Sequence, residues 1–268
     1  MKGTLAVAYW TIKARRWSIF WWCLGVSAFI AINLAFYPTF RDQATQLNQV
    51  LNHLPATTRA LFSDTGNFLT PGGFLSARLF YLMLPLILSI LAIGLGSSLL
   101  AKEEADGTIE LLLSRPLSRG RLLLGKGLAG LIILAVVGGF ALGVTLAISW
   151  LVKIEVPLGR IATAAGLAAV LALLFGAIAF TVTAFGRTAR LASVGLAALV
   201  GLGSYIVASL AETVGWLKWP AKLMPHHYYH PSEILAGYFS WWKVVGVLVL
   251  VLAMGLIGWL AFRRRDLG

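Results

Sequence analysis

Two short patterns in this chain have residue types that could do chemistry. Gly120-Arg121-Leu122-Leu123-Leu124-Gly125-Lys126 has the GxxxxGK spacing of a loop that cradles phosphate on backbone N–H groups and a lysine. His226, His227 and His230 form an HHxxxH cluster, a spacing that can put two imidazoles on one face toward Zn²⁺. Neither pattern has the context its chemistry needs. Gly127 stands where Ser or Thr must reach Mg²⁺, and the run opens an apolar segment instead of following a buried strand. Pro225 and Pro231 bracket the histidines and oppose a regular helix across them, with Glu233 the acid at hand. The chain is therefore read as having no nucleotide site, no catalytic residues and no cofactor of its own. The histidines are assigned to interfacial aromatic packing in preference to a metal.

A third pattern points to contact rather than catalysis. Lys102–Lys126, KEEADGTIELLLSRPLSRGRLLLGK, holds four of the ten acids and five of the 22 basic residues, between long apolar runs. Asp106-Gly107-Thr108 reads as a turn and a helix start, with Thr108 as cap and Glu110 in the first turn near the positive dipole end. Leu111 is one of the apolar residues of that helix. Ser114, Arg115 and Pro116 end it, because the residue before proline avoids α geometry. Ser118 caps the next helix, which opens with Arg119. The product is a helix of about two turns at 108–115, charged at both ends and apolar between, as at a docking site.

The elements that hold this segment are membrane spans. Of 268 residues, 59% are hydrophobic and 12% charged, against about 25% charged in soluble domains. Runs of about 20 apolar residues are too long for barrel strands, so an all-α polytopic fold follows. The +12 net charge fits basic residues facing anionic lipid, not a nucleic-acid partner. Cys23 is the lone cysteine, so no intrachain disulfide forms. The N-terminal apolar run has no cleavage-site pattern behind it.

The whole of 1–268 reads as a single transmembrane domain. An interfacial amphipathic helix occupies 1–16, with Trp10 beside Lys13, Arg15 and Arg16. Six spans follow at about 17–37, 79–101, 128–152, 161–185, 191–211 and 244–262. An outer loop fills 38–74, with Pro71-Gly72-Gly73 as a turn. The charged segment is 102–126. An outer segment at 212–243 carries Trp216, Trp219, Tyr228, Tyr229, Tyr238, Trp241 and Trp242, too aromatic for a solvated loop, and is read as short interfacial helices. Pro85 is a kink candidate. Gly139 and Gly143 make a GxxxG pair that permits close helix approach.

Fourteen Lys and Arg residues fall on the side of the N-terminus and eight on the other, which places both termini and 102–126 in the cytoplasm. No ionisable residue sits deep in a predicted span. Proton relays, ion-coupled carriers, voltage sensors and intramembrane proteases are thereby disfavoured, and any transport energy must come from outside the chain. Asn33, Ser89, Ser97, Thr145, Thr181 and Ser204 are polar within spans. They are candidates for a substrate path, although helix packing explains them equally well, with Asn33 expected to bond a neighbouring helix.

In Glu103-Glu104-x-Asp106-Gly107-Thr108-Ile109-Glu110-Leu111-Leu112-Leu113-Ser114-x-Pro116-Leu117-Ser118-Arg119, the chain resembles the permease subunits of ABC-2-type transporters. Pro225–Pro231 and the end at Phe262-Arg263-Arg264-Arg265-Asp266-Leu267 agree with it. The resemblance implies a half-transporter of six spans in a bacterial or archaeal plasma membrane. It would pair with a second permease copy, as a homodimer or a heterodimer, and with a separate ATPase that binds ATP and Mg²⁺. The helix at 108–115 would be the coupling helix, with Glu103, Glu104, Glu110 and Arg119 contacting or orienting the ATPase. Cargo in such a family includes drugs, antibiotics, peptides and lipids, and the uncharged spans favour an amphiphile. Two other classes stand beside this reading: a membrane anchor that recruits a cytoplasmic partner without transport, and an autonomous channel or carrier.

Overall fold

The computed structural model describes residues 2–43, 70–105, 119–186, 189–211 and 213–264, and among these there is no strand. The first helices are α1 (Lys2–Ala14), α2 (Arg16–Ala35), α3 (Tyr37–Asp42) and α4 (Pro71–Leu75). Next come α5 (Met83–Ala105), α6 (Arg119–Leu151), α7 (Leu158–Ala184) and α8 (Ala189–Leu210). The last are α9 (Lys218–Ala221), α10 (Pro231–Ala236) and α11 (Trp241–Arg264). Six stretches are long and apolar enough to cross a membrane: Arg16–Asp42, Pro71–Leu99, Gly120–Leu151, Leu158–Ala184, Leu191–Leu210 and Trp241–Arg263.

The second span starts earlier than the sequence reading placed it, and Pro71-Gly72-Gly73 is helix rather than turn. Thr70 is extended, and its Oγ1 accepts a hydrogen bond from the Gly73 N–H at 3.0 Å. Pro71 occupies the first turn, where its missing N–H costs nothing. The cap and the proline outweigh two glycines. A π-helical turn, Ser76–Phe80, follows, closed by Tyr81 N–H on Ser76 O at 2.7 Å. Regular α geometry resumes at Met83. Pro85 explains this break: it has no N–H for the Tyr81 carbonyl, and its ring crowds that carbonyl.

The second and fourth spans are the interior, with 67% and 50% of their apolar windows buried, while the sixth at 11% lies on the outside. Phe74, Phe80, Leu84, Leu88 and Phe175 are fully buried. Ala164, Ala168, Ala172 and Ala179 on α7 are buried as well, and small side chains let helix backbones approach. At 33 residues α6 is about 50 Å long, beyond the roughly 30 Å of hydrocarbon, so it tilts or projects from the bilayer. A Cβ on Gly139 or Gly143 of α6 would meet nothing within 4 Å among the described residues, so the GxxxG pair is not a contact between the described helices.

The helices alternate in direction, so one end of the bundle carries α1, the end of α5, the start of α6 and the C-terminal end of α11. The opposite end is covered by the segment from a 3-10 turn at Gly215–Leu217 to α10. That cover is tied down. Tyr229 donates its hydroxyl to Phe80 O at 2.9 Å, and Arg160 Nη1 donates to Leu235 O at 3.1 Å. Gly237 ends α10 at φ +105°, a left-handed conformation that favours glycine, with the Arg160 guanidinium close by. Lys243 Nζ and Glu233 Oε2 lie 3.6 Å apart on its surface.

Candidate functional site

The end of the bundle bearing α1 is built by close contacts among five helices. The chain turns between α1 and α2 at Arg15, whose N–H bonds Ile12 O at 3.0 Å. Arg15 Nη2 donates to Ser98 Oγ at 3.0 Å, near the end of α5. At the other side of α1, a Cβ on Gly125 of α6 would lie 2.8 Å from Thr4 O and 2.8 Å from Val7 Cβ. Ala8 and Thr11 are buried on α1, while Tyr9 and Trp10 point outward with Lys13 Nζ 4.9 Å above the Trp10 ring. α1 and the Arg15 corner that follows it therefore reach the two helices that flank the charged segment, α6 through α1 and α5 through Arg15.

Gly125 also settles the GxxxxGK pattern. Gly120–Lys126 lies inside continuous helix and serves α1 packing, so no phosphate loop forms there. Lys126 is buried rather than presented to solvent. On the far side of α6, Leu123 packs with Ala184 of α7 and Phe262 of α11. Trp259 of α11 closes this cluster. Its Nε1 lies 3.0 Å from where a Gly120 Cβ would stand, and the Arg263 guanidinium sits 4.7 Å from its ring centroid.

Glu103 and Glu104 fall in the last turn of α5, and Arg119 opens α6. Asp106, Gly107, Thr108, Glu110, Leu111, Ser114, Arg115 and Pro116 lie outside the described residues, as does the helix expected at 108–115.

Most of the polar residues named for a path bond backbone carbonyls within the bundle. Asn33 Nδ2 donates to Phe29 O at 2.9 Å on its own helix, not to a neighbouring one as expected. Ser97 and Thr145 likewise donate to Gly94 O at 3.3 Å and Ala141 O at 2.7 Å, one turn earlier. Thr181 Oγ1 donates across to Met254 O at 2.7 Å and ties α7 to α11. Ser89 is buried on α5. None of these lines the large apolar cleft among α5, α6, α7 and α11, which sequence reasoning missed. Its signal is a set of absent side chains on four separate helices, which no local pattern displays.

The histidines divide. His226, in a 3-10 turn at Pro225–Tyr228, inserts between α7 and α8, stacked on Phe175 at 5.9 Å and edge-on to Tyr205 at 5.7 Å. Its Nδ1 lies 2.9 Å from Ser204 Oγ. Burial pushes its pKa down to about 4. His227 faces His230, centroids 6.0 Å apart, and is held below its usual range by burial first, then by His230, Lys243 and Lys222. Among the described residues no three His, Cys, Asp or Glu side chains are placed to hold a metal ion.

Arg16, Arg41, Asp42, Arg78, Arg121, Lys126, Arg160, Lys243 and Arg263 fall inside the observed spans, all toward span ends. A bundle of six apolar helices, with its one phosphate-loop pattern consumed in helix packing, defines a multi-pass α-helical membrane protein. The model of the family described as ABC-2 family transporter protein matches residues 11–267, and the chain belongs to that family. No curated protein matches it. Members of the family are membrane components of ABC transporters, without an ATPase site of their own, and generally work with an ATPase subunit.

Proposed function

We propose that this chain is the permease half of an ATP-driven exporter of an amphiphilic cargo (a drug, antibiotic, peptide or lipid) in a bacterial or archaeal plasma membrane. Both termini are cytoplasmic. Two permease chains pair, as a homodimer in the simplest case, and each docks a separate ATPase that binds ATP and Mg²⁺. The ATPase seats the helix at 108–115. Glu103, Glu104, Asp106, Glu110, Arg115 and Arg119 are its charged contacts, and Gly107, Thr108, Leu111, Ser114 and Pro116 shape the helix.

The observation that carries this reading is the placement of α1. α1 itself packs on α6 at Gly125, and Arg15, at the corner between α1 and α2, bonds Ser98 of α5. A push on the segment joining α5 to α6 thus reaches two spans and the elbow together. α5 in turn is locked to α7 through Gly96 and Gly176, so displacement passes to the centre of the bundle. Packed helices transmit such shifts because close-packed interiors deform little. The ionisable residues within the observed spans lie toward span ends, and no chain of them crosses the middle of the bundle to serve as a proton or ion relay.

The test is reconstitution. The chain is purified with the ATPase that accompanies it and placed in liposomes. ATP-dependent cargo movement that needs both subunits supports the proposal. Transport by the chain alone without ATP overturns it in favour of an autonomous carrier, and partner binding with no transport of any amphiphile tried overturns it in favour of an anchor.

A further inference from the structure

The cleft among α5, α6, α7 and α11 has a volume of about 670 Å³. That is within the roughly 300–1,000 Å³ of ligand pockets. Its lining comes from the second half of α5, the first half of α6 and the last parts of α7 and α11, all nearest the end that bears α1. The walls are hydrocarbon, and Leu124, Leu252 and Leu256 on its lips are exposed, so it opens sideways out of the bundle.

The glycines in this cleft are of two kinds. Gly96 and Gly176 are required by backbone of the facing helix, and a Cβ on Gly130 would press on the Leu99 side chain at 3.0 Å. Gly127 on α6 and Gly255 on α11 have no such reason, since a Cβ on either meets nothing within 4 Å. Two helices that withhold side chains from one volume leave room for something else. The end of the cleft nearest α1 is aromatic, with arginines on its α6 and α11 sides and with Glu103 and Glu104 in the last turn of α5. Trp259 lines it with Arg263 on its ring, and exposed Arg121 lies at the same end of α6. A hydrocarbon slot with arginines on its α6 and α11 rim matches a molecule with an apolar tail and an anionic head.

We propose that this cleft binds the hydrocarbon tail of an anionic amphiphile, with its carboxylate or phosphate head at Arg263 and Arg121. The claim that the molecule is cargo, taken up from the cytoplasmic leaflet, rests on the permease reading; the binding itself does not.

The test is photolabelling of the full chain in phosphatidylcholine nanodiscs. The probes are a diazirine-bearing palmitate and the matching fatty alcohol, with adducts mapped by mass spectrometry. The palmitate probe is expected on α6 and α11 residues of the cleft, and excess unlabelled palmitate is expected to displace it. Gly127→Leu with Gly255→Leu lowers that labelling about tenfold, as overpacking of 1–3 kcal/mol implies. Arg263→Gln lowers palmitate labelling about threefold, the scale of an exposed ion pair, and leaves the alcohol unchanged. The proposal is overturned by equal labelling with acid and alcohol, or by labelling of Leu199 and Leu202 on the outside of α8 as strong as that of the cleft. It is overturned too by labelling that excess palmitate does not reduce, or by a crosslink that places a second copy of the chain over the cleft. Intact labelling without ATP-driven transport in the reconstituted complex refutes the permease reading and leaves the site standing.

Discussion

Gly96 of α5 and Gly176 of α7 face each other with no side chain between them. A Cβ on Gly96 would fall on the Gly176 carbonyl oxygen, and a Cβ on Gly176 would stand 2.9 Å from the Ala92 carbonyl oxygen. The obstacles are backbone atoms, which cannot swing aside. This contact fixes the second span against the fourth. Seven residues beyond Gly96, the same helix reaches Glu103.

Substitution at this contact is therefore expected to be costly. Gly96→Ala or Gly176→Ala forces the helices apart and destabilises the bundle by about 1–3 kcal/mol. Gly139→Ala and Gly143→Ala, where a Cβ would meet nothing within 4 Å among the described residues, stay within about 0.5 kcal/mol. Thermal unfolding of the purified variants in detergent checks the difference. Equal losses at all four positions would contradict the packing described.

The elbow gives a second expectation. Gly125→Val drives a side chain into Thr4 and Val7 and lifts α1 from α6. Arg15→Ala removes the bond to Ser98, a loss of about 1 kcal/mol in stability. Both variants should still assemble with the ATPase but move less cargo per ATP hydrolysed. Paired transport and ATPase assays on the same liposomes measure that ratio, and an unchanged ratio in both variants would remove α1 from the coupling route.

A third concerns pH. His226 has its pKa held at about 4 in the folded chain, against about 6.5 when unfolded. As pH falls below about 6.5 the unfolded state takes up the proton first, so native stability declines, and the decline levels off below about 4. The full effect is on the order of 3 kcal/mol. His226→Gln should flatten the dependence of unfolding temperature between about pH 7.5 and pH 5. His227, also held low, leaves a residual slope of the same sign. An identical slope in wild type and His226→Gln would show that the histidine is not buried as described.

Much of the architecture was legible because lipid imposes a strict rule. Apolar runs of spanning length must be helices, and six such helices are observed. Aromatic density and prolines marked 212–243, and short helices stand there. What escaped depended on tertiary partners. A proline and two glycines read as a turn until the Thr70 cap is seen. Gly139 and Gly143 have the spacing of a contact, yet Gly96 and Gly176, on different helices, make one. Asn33 satisfies its amide on its own helix. His226 belongs with Ser204 rather than with the histidine next to it, because only the fold brings α8 against the outer segment. Of the residues read as coupling, Glu103, Glu104 and Arg119 fall among the described residues, at the end of α5 and the start of α6.

The central claim is that ATP energy enters through 102–126. The most direct measurement is cargo-stimulated ATP turnover and transport by the complex in liposomes, with Gly107→Pro or Glu110→Lys in this chain. Loss of stimulation and of transport, with the complex still folded and the ATPase's basal turnover retained, is the predicted result. Unchanged stimulated turnover and transport in both variants would contradict it.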